Sequence, residues 1–232
     1  MDRMNRVSAF QDKGLHPAIP GAVHPALNAP LTAASLQLGV AELSARDPHL
    51  GAVVKRFGTP PLWVRRPGYA TLVRIILEQQ VSLASAAAAY QRLREAAGGV
   101  TPEAVLATGP ARLRRAGLTR QKAAYCHAIA RSIVDGTLEL RRIGRMADAE
   151  ARSVLIAAPG VGPWTADIYL LMALRRPDVW PHGDLALAKA VMQVKNLRKI
   201  PSYAKLTQMA AQWSPWRAVA ARIAWHYYLS NQ

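Results

Sequence analysis

From Leu31 onward the chain reads as helix after helix, and this recurring helix punctuation constrains its fold more than any other feature. Thr101-Pro102-Glu103 sets a capping hydroxyl, then proline at the first helical position, then an acid in the first turn. Ser214-Pro215 repeats the device ahead of Trp216, and Thr119 is placed to cap a helix that Gly136 ends. Gly98-Gly99 stops the helix holding Ala86 to Ala89 and Tyr90. Leu72, Ile75, Ile76 and Gln79 fall on one helical face. Alternation of β-branched residues, the mark of half-buried strands, is nearly absent, and no repeat of fixed period is present. The expected class is all-α, with mostly short helices. Residues 1–30 are rich in Pro, His and Gly and read as an arm with no independent fold, whereas residues 31–232 read as one helical domain.

Charge narrows the partner. Against 14 acidic residues stand 30 basic ones, a formal charge of +16, so a polyanion is the expected partner. Arg112, Arg114, Arg115, Arg120 and Lys122 cluster around Gly117, while Arg141, Arg142 and Arg145, and again Lys195, Arg198 and Lys199, form further groups. Any one group can be a solvated helix end, but the acids are too few to balance the sum. A hydrophobic share of 51% excludes a wholly disordered chain. The single cysteine, Cys126, excludes an intramolecular disulfide, a four-cysteine zinc site and a cysteine-ligated iron–sulfur cluster. Apolar runs such as Ile168–Leu174 are far shorter than the roughly 18–20 residues of a spanning helix. The N-terminal stretch lacks an apolar signal core. An intracellular protein of the cytoplasm or nucleoid, with no membrane partner, is expected.

The most informative string runs Leu155-Ile156-Ala157-Ala158-Pro159-Gly160-Val161-Gly162-Pro163-Trp164-Thr165-Ala166. It reads as helix, short turn, helix. Gly160 and Gly162 permit positive φ and close approach of another molecule to the backbone, and Pro163 suits the first helical position. Free N–H groups at such a helix start can hold a phosphate without regard to sequence. Any corner between two helices can carry Gly and Pro, so spacing alone leaves both readings open.

This string resembles the hairpin of the helix–hairpin–helix (HhH-GPD) DNA glycosylase superfamily. Asp178-Val179-Trp180-Pro181-His182-Gly183-Asp184-Leu185 is similar to the loop in which that superfamily carries its catalytic aspartate. Ile75-Ile76-Leu77-Glu78-Gln79-Gln80-Val81-Ser82 is similar to its helix–turn segment at the DNA lesion. Trp213-Ser214-Pro215-Trp216-Arg217 and Trp225 resemble the closing helices of the AlkA-type 3-methyladenine DNA glycosylases. The four blocks keep family order from about Pro67 to Tyr228. The resemblance implies a two-lobed helical core with its active-site cleft between the lobes. Some AlkA-type enzymes carry an N-terminal β-domain, for which the stretch before Leu31 is too short, so only the helical core is expected.

The implied activity is hydrolysis of the N-glycosidic bond of alkylated purines, of the 3-methyladenine and 7-methylguanine type, in damaged double-stranded DNA. Asp184 is the implied catalytic carboxylate, opposing positive charge on the sugar and orienting or deprotonating water. It also reads as the N-cap of Leu185–Val194, and both roles can hold at once. Trp164 stands where strand-cutting members carry a Schiff-base lysine, so an enzyme without lyase activity is implied. Its ring could stack on the extruded base, although a core Trp at a helix start is the plain alternative. Trp225 fits a second pocket wall by family position; from its residues alone it is a core aromatic. Ile168 is the third pocket position, and it departs from the aromatic that the pattern can carry. Gln80 occupies the place of the residue that enters the duplex where the base leaves, with Gln79 beside it in the wedge. Glu78 departs from a small residue, and an acid so near phosphate is tolerable only if it points inward or pairs with an arginine. Gly160, Val161, Gly162 and Thr165 form the implied phosphate-binding hairpin.

Backbone carbonyls of Ile156, Ala158 and Val161 match positions that in the family hold Na⁺ or K⁺; no other cofactor is implied. The histidines, His16, His24 and His49 among them, lack ligand spacing. A monomer is expected. Two other readings stay open: a helix–hairpin–helix DNA-binding protein without catalysis, and a glycosylase for deaminated or oxidised bases.

Overall fold

The computed structural model describes residues 29–231, so the arm expected over residues 1–30 lies almost wholly outside the described residues. Within them the regular elements are all helical, as expected. They are α1 (Ala33–Arg46), α2 (Pro48–Phe57), α3 (Tyr69–Glu78), α4 (Leu83–Ala97), α5 (Pro102–Arg115) and α6 (Arg120–Val134). There follow α7 (Leu140–Ile143), α8 (Asp148–Ala157), α9 (Pro163–Ile168), a π-turn (Tyr169–Ala173), α10 (Leu185–Val194), α11 (Tyr203–Ala211) and α12 (Arg217–Ser230). No described helix is long and apolar enough to cross a membrane.

Local chemistry sets most helix ends. The Thr101 hydroxyl accepts the Ala104 N–H at 3.2 Å, and Thr119 accepts that of Lys122 at 3.2 Å. Gly98 ends α4 in the left-handed region at φ 70°. Pro110, which has no N–H to donate, coincides with a break in α5 at Gly109. Ser214, however, does not cap α12. Its hydroxyl donates to Asp178 Oδ2 at 2.9 Å, and Asp178 also accepts the backbone N–H and guanidinium of Arg217. A carboxylate delivered by another loop replaces the local cap, because charge-assisted bonds are about twice as strong as neutral ones.

Two sets of helices hold the core. Helices α3, α4, α5 and α6 pack on one another, and α1, α2, α10 and α12 form the second set. Helix α9 and the π-turn pack on both α3 and α8. Leu72, Val73, Ile75, Ile76 and Leu77 of α3 are buried, each stabilising by about 1.5–3 kcal/mol. Arg222 of α12 is fully buried and donates to the carbonyls of Leu62, Leu171 and Ala218. It thereby ties α12 to the π-turn and to the extended segment before α3, while burial pushes its guanidinium down to about 10.

Candidate active site

Asp184 is the N-cap of α10, as its position before Leu185–Val194 leads one to expect. Its Oδ1 accepts the Leu187 N–H at 2.7 Å. Its Oδ2 accepts the indole N–H of Trp164, from the second position of α9, at 2.9 Å. The indole of Trp225 approaches Oδ1 at 3.5 Å from α12. Three helices thus meet at one half-buried carboxylate. Ile168 follows Trp164 by one turn of α9 and is 4% exposed, an aliphatic core residue rather than a ring. Neighbouring Tyr169 points into the core, where its hydroxyl accepts the Gly68 N–H at 2.9 Å.

The two glutamines expected to act together are separated. Gln80 is exposed and in the left-handed region at φ 57°. Gln79 is not free to enter a duplex. Its side-chain amide donates to Gly160 O at 3.0 Å and to Thr165 Oγ1 at 2.9 Å. Both amide hydrogens are thereby used, and the turn is fastened to the hairpin. The Thr165 hydroxyl, expected among the phosphate-binding groups, is accordingly occupied inside the protein, and the residue is 1% exposed. Lys122 likewise turns inward from its basic cluster, donating to Leu77 O and Gln79 O at 2.8 and 3.0 Å. It satisfies orphan carbonyls at the end of α3, and burial lowers its ammonium below the ordinary lysine value.

The hairpin glycines differ in kind. Gly160 has φ 79°, and a Cβ there would lie 2.2 Å from Tyr125 Cγ. Gly162 has φ −83°, so the positive φ allowed for it is not used, and a Cβ would meet nothing within 4 Å. Packing requires the first glycine; the second leaves open space before the α9 start. An open cleft of about 370 Å³ runs between Gln79, Gln80, Gln121, Lys122, Tyr125 and this hairpin. Among the described residues, Ile156 O and Val161 O accept no hydrogen bond and Ala158 O accepts only the Val161 N–H, so these carbonyls have lone pairs to offer a cation. No described group of three or more His, Cys, Asp and Glu converges on a metal position.

Two acids near the site find arginines. Glu78, 9% exposed, is paired bidentately with Arg65 at 2.9 Å, which meets the condition set for an acid at that place. Asp167 of α9 escaped the sequence reading. Its side chain is 2% exposed, takes Arg152 Nε from α8 at 2.7 Å and accepts the His182 N–H at 2.9 Å. Burial raises its carboxyl above the ordinary value, and Arg152 and the His182 N–H oppose that only in part. An acid opening the apolar run to Leu174 was the available signal, since buried carboxylates are rarely kept without a partner.

A family model described as HhH-GPD superfamily base excision DNA repair protein matches residues 73–215. The chain is 29% identical over 184 residues to a putative DNA-3-methyladenine glycosylase, YfjP, of Bacillus subtilis, covering 76% of this chain. It spans 64% of that relative's length. It is 33% identical over 196 residues to a probable bifunctional transcriptional activator/DNA repair enzyme AlkA of Mycobacterium tuberculosis, covering 80% of this chain and 38% of that protein. Its fold matches a DNA-3-methyladenine glycosidase of Bacillus halodurans with TM-score 0.72 and 25% identity, covering 84% of this chain and 91% of that one.

Proposed function

The chain belongs to the HhH-GPD superfamily of base excision DNA repair proteins, and from that membership we propose that it is a DNA glycosylase for alkylated purines in duplex DNA. Relatives named as DNA-3-methyladenine glycosylases support the substrate class. One observation carries the mechanism: the Asp184 carboxylate has one oxygen fixed by the α10 start and the other by the Trp164 indole.

Departure of the base builds positive charge on the deoxyribose. A carboxylate already fixed in place opposes that charge without reorganising, and it orients or deprotonates the water that attacks the sugar. A purine methylated on a ring nitrogen is cationic and leaves as a neutral base, so the protein need not protonate it. A cation–π contact with the Trp164 ring favours such a base by roughly 1–2 kcal/mol. Trp225, whose indole approaches the same carboxylate, completes the pocket. Strand cleavage through a Schiff base needs an amine; Trp164 offers none at this place, and the product is an abasic site in an intact strand.

Gln80 fills the gap left by the extruded nucleotide, and Gln79 holds the turn that presents it. Backbone N–H groups of Gly160, Gly162 and Trp164 at the hairpin take a phosphate, and the duplex lies across the groove between the two helix sets. The carbonyls of Ile156, Ala158 and Val161 would hold a Na⁺ or K⁺ ion, which supplies a counter-charge to that phosphate. The protein acts as a monomer.

Incubation with a duplex carrying one 7-methylguanine is expected to release the free base and leave an abasic site that alkali, not the enzyme, cleaves. Asp184→Asn should slow release by on the order of 10²–10³-fold while duplex binding persists. Undiminished release by that variant removes Asp184 from the mechanism. Binding with no release of any methylated purine would leave a DNA-binding protein only.

A further inference from the structure

We infer that Asp167 is a positioning residue for the Asp184 carboxylate, gripping from α9 the backbone of the loop that delivers it. The inference rests on the proposed role of Asp184 and adds a residue which that role does not itself use. Helix α9 holds the loop at two points. Asp167 Oδ2 accepts the His182 N–H at 2.9 Å, and the Trp164 indole donates to Asp184 Oδ2 at 2.9 Å. Between them stands Gly183 at φ 69°, with nothing within 4 Å of where a Cβ would lie. A glycine with open space around it gives this segment torsional freedom, so without the Asp167 bond α9 holds the loop leading into the α10 start at Trp164 alone.

The chemistry of Asp167 fits a clamp better than a filler. An ionised carboxylate is costly to bury, and an apolar side chain would pack α9 without that cost. The acid is kept, and Arg152 of α8 balances it at 2.7 Å. One buried carboxylate therefore joins α8, α9 and the loop. The remaining groups facing this pair are the His182 imidazole and, from α11, Tyr203, whose ring centroid lies 3.8 Å from that of His182. Misplacing a reacting group by about 1 Å costs on the order of 10²-fold in rate, so loss of the clamp is read in the chemical step rather than in binding.

The test measures single-turnover release of 7-methylguanine from a defined duplex, beside the Kd for the same duplex carrying a tetrahydrofuran abasic analogue. Asp167→Ala should lower the rate on the order of 10²-fold, with Kd changed by no more than about twofold. Asp167→Asn, which keeps an oxygen for the His182 N–H, should recover part of the rate. A folded Ala variant releasing base at the wild-type rate overturns the inference, as does a loss confined to Kd. Should Asp167→Ala fail to fold, Arg152→Met carries the test, because Asp167 stays in place. Without the guanidinium the carboxyl protonates at higher pH and its bond to His182 weakens, so the acid limb of the rate profile should move to higher pH. His182 and Tyr203 are present in both proteins, so the shift isolates Asp167; coincident profiles overturn the inference. Asp184→Asn runs in the same assay. If it releases base undiminished, the glycosylase mechanism fails; if it is inactive while the Asp167 and Arg152 variants match wild type, only the clamp fails.

Discussion

Trp164 and Asp184, 20 residues apart in the chain, are joined by a 2.9 Å hydrogen bond from indole nitrogen to carboxylate oxygen. The bond links the start of α9, just past the hairpin, to the start of α10. Asp184 therefore has a defined orientation in the protein alone, with the indole that holds it at its side.

Trp164→Phe separates these two contributions. It keeps a stacking ring and removes the N–H donor. Hydrogen bonds to charged groups contribute about 1.5–3 kcal/mol, so base release should fall by roughly ten- to a hundredfold. Single-turnover kinetics on a 7-methylguanine duplex measure this; an unchanged rate would show that the ring alone matters.

Gln79 and Gln80 should fail differently. Gln79→Ala removes the bonds to Gly160 and Thr165 and should cost about 1–3 kcal/mol of stability, seen as a lower Tm. Gln80→Ala touches an exposed residue and should leave Tm unchanged while slowing base release from a fully paired duplex. Equal thermal shifts for both would contradict the division of roles.

The hairpin glycines offer the same kind of contrast. Gly160→Ala sets a methyl 2.2 Å from Tyr125 at a positive φ, and thermal melting should show it strongly destabilised. Gly162→Ala meets open space in the protein, so its Tm should match wild type. Its affinity for duplex should nevertheless drop, because the added methyl stands where a phosphate would approach. Wild-type affinity would remove Gly162 from the docking surface.

Asp47 predicts a pH dependence of stability. Burial alone would raise its carboxyl, but hydrogen bonds from Lys195 and the Trp213 indole outweigh burial and hold it below the ordinary 3.8. A depressed value means that the stabilisation is complete above about pH 4 and is lost as pH falls through the folded-state value. Asp47→Asn should lower stability by about 2–3 kcal/mol at pH 7, and denaturant melts should show the gap closing towards pH 3. A constant gap would refute the assignment.

Duplex binding should weaken steeply with salt, since each phosphate neutralised by the excess of positive charge releases counterions. A fluorescence titration between about 50 and 200 mM salt should show losses of 10-fold or more. A flat response would exclude the basic faces as the docking surface.

Most helix ends are settled by neighbours in the chain. Thr101, Thr119 and Gly98 bound helices through contacts only a few residues long, and Asp184 caps α10 for the same reason. Such bonds depend on neighbours in the chain, so they are legible before folding, as was the hairpin string that placed the chain in its superfamily. Tertiary structure decided which side chains meet across elements. It gave Ser214 to Asp178 instead of to α12, and Gln79 to the hairpin instead of to the wedge. It supplied Arg65 for Glu78 and Arg152 for Asp167, and it made Gly160 necessary through Tyr125. These partners lie far enough apart in sequence that only the packing of α3, α8, α9 and the loops brings them within bonding distance, and no local pattern records which of several arginines or acceptors a buried acid or amide will find.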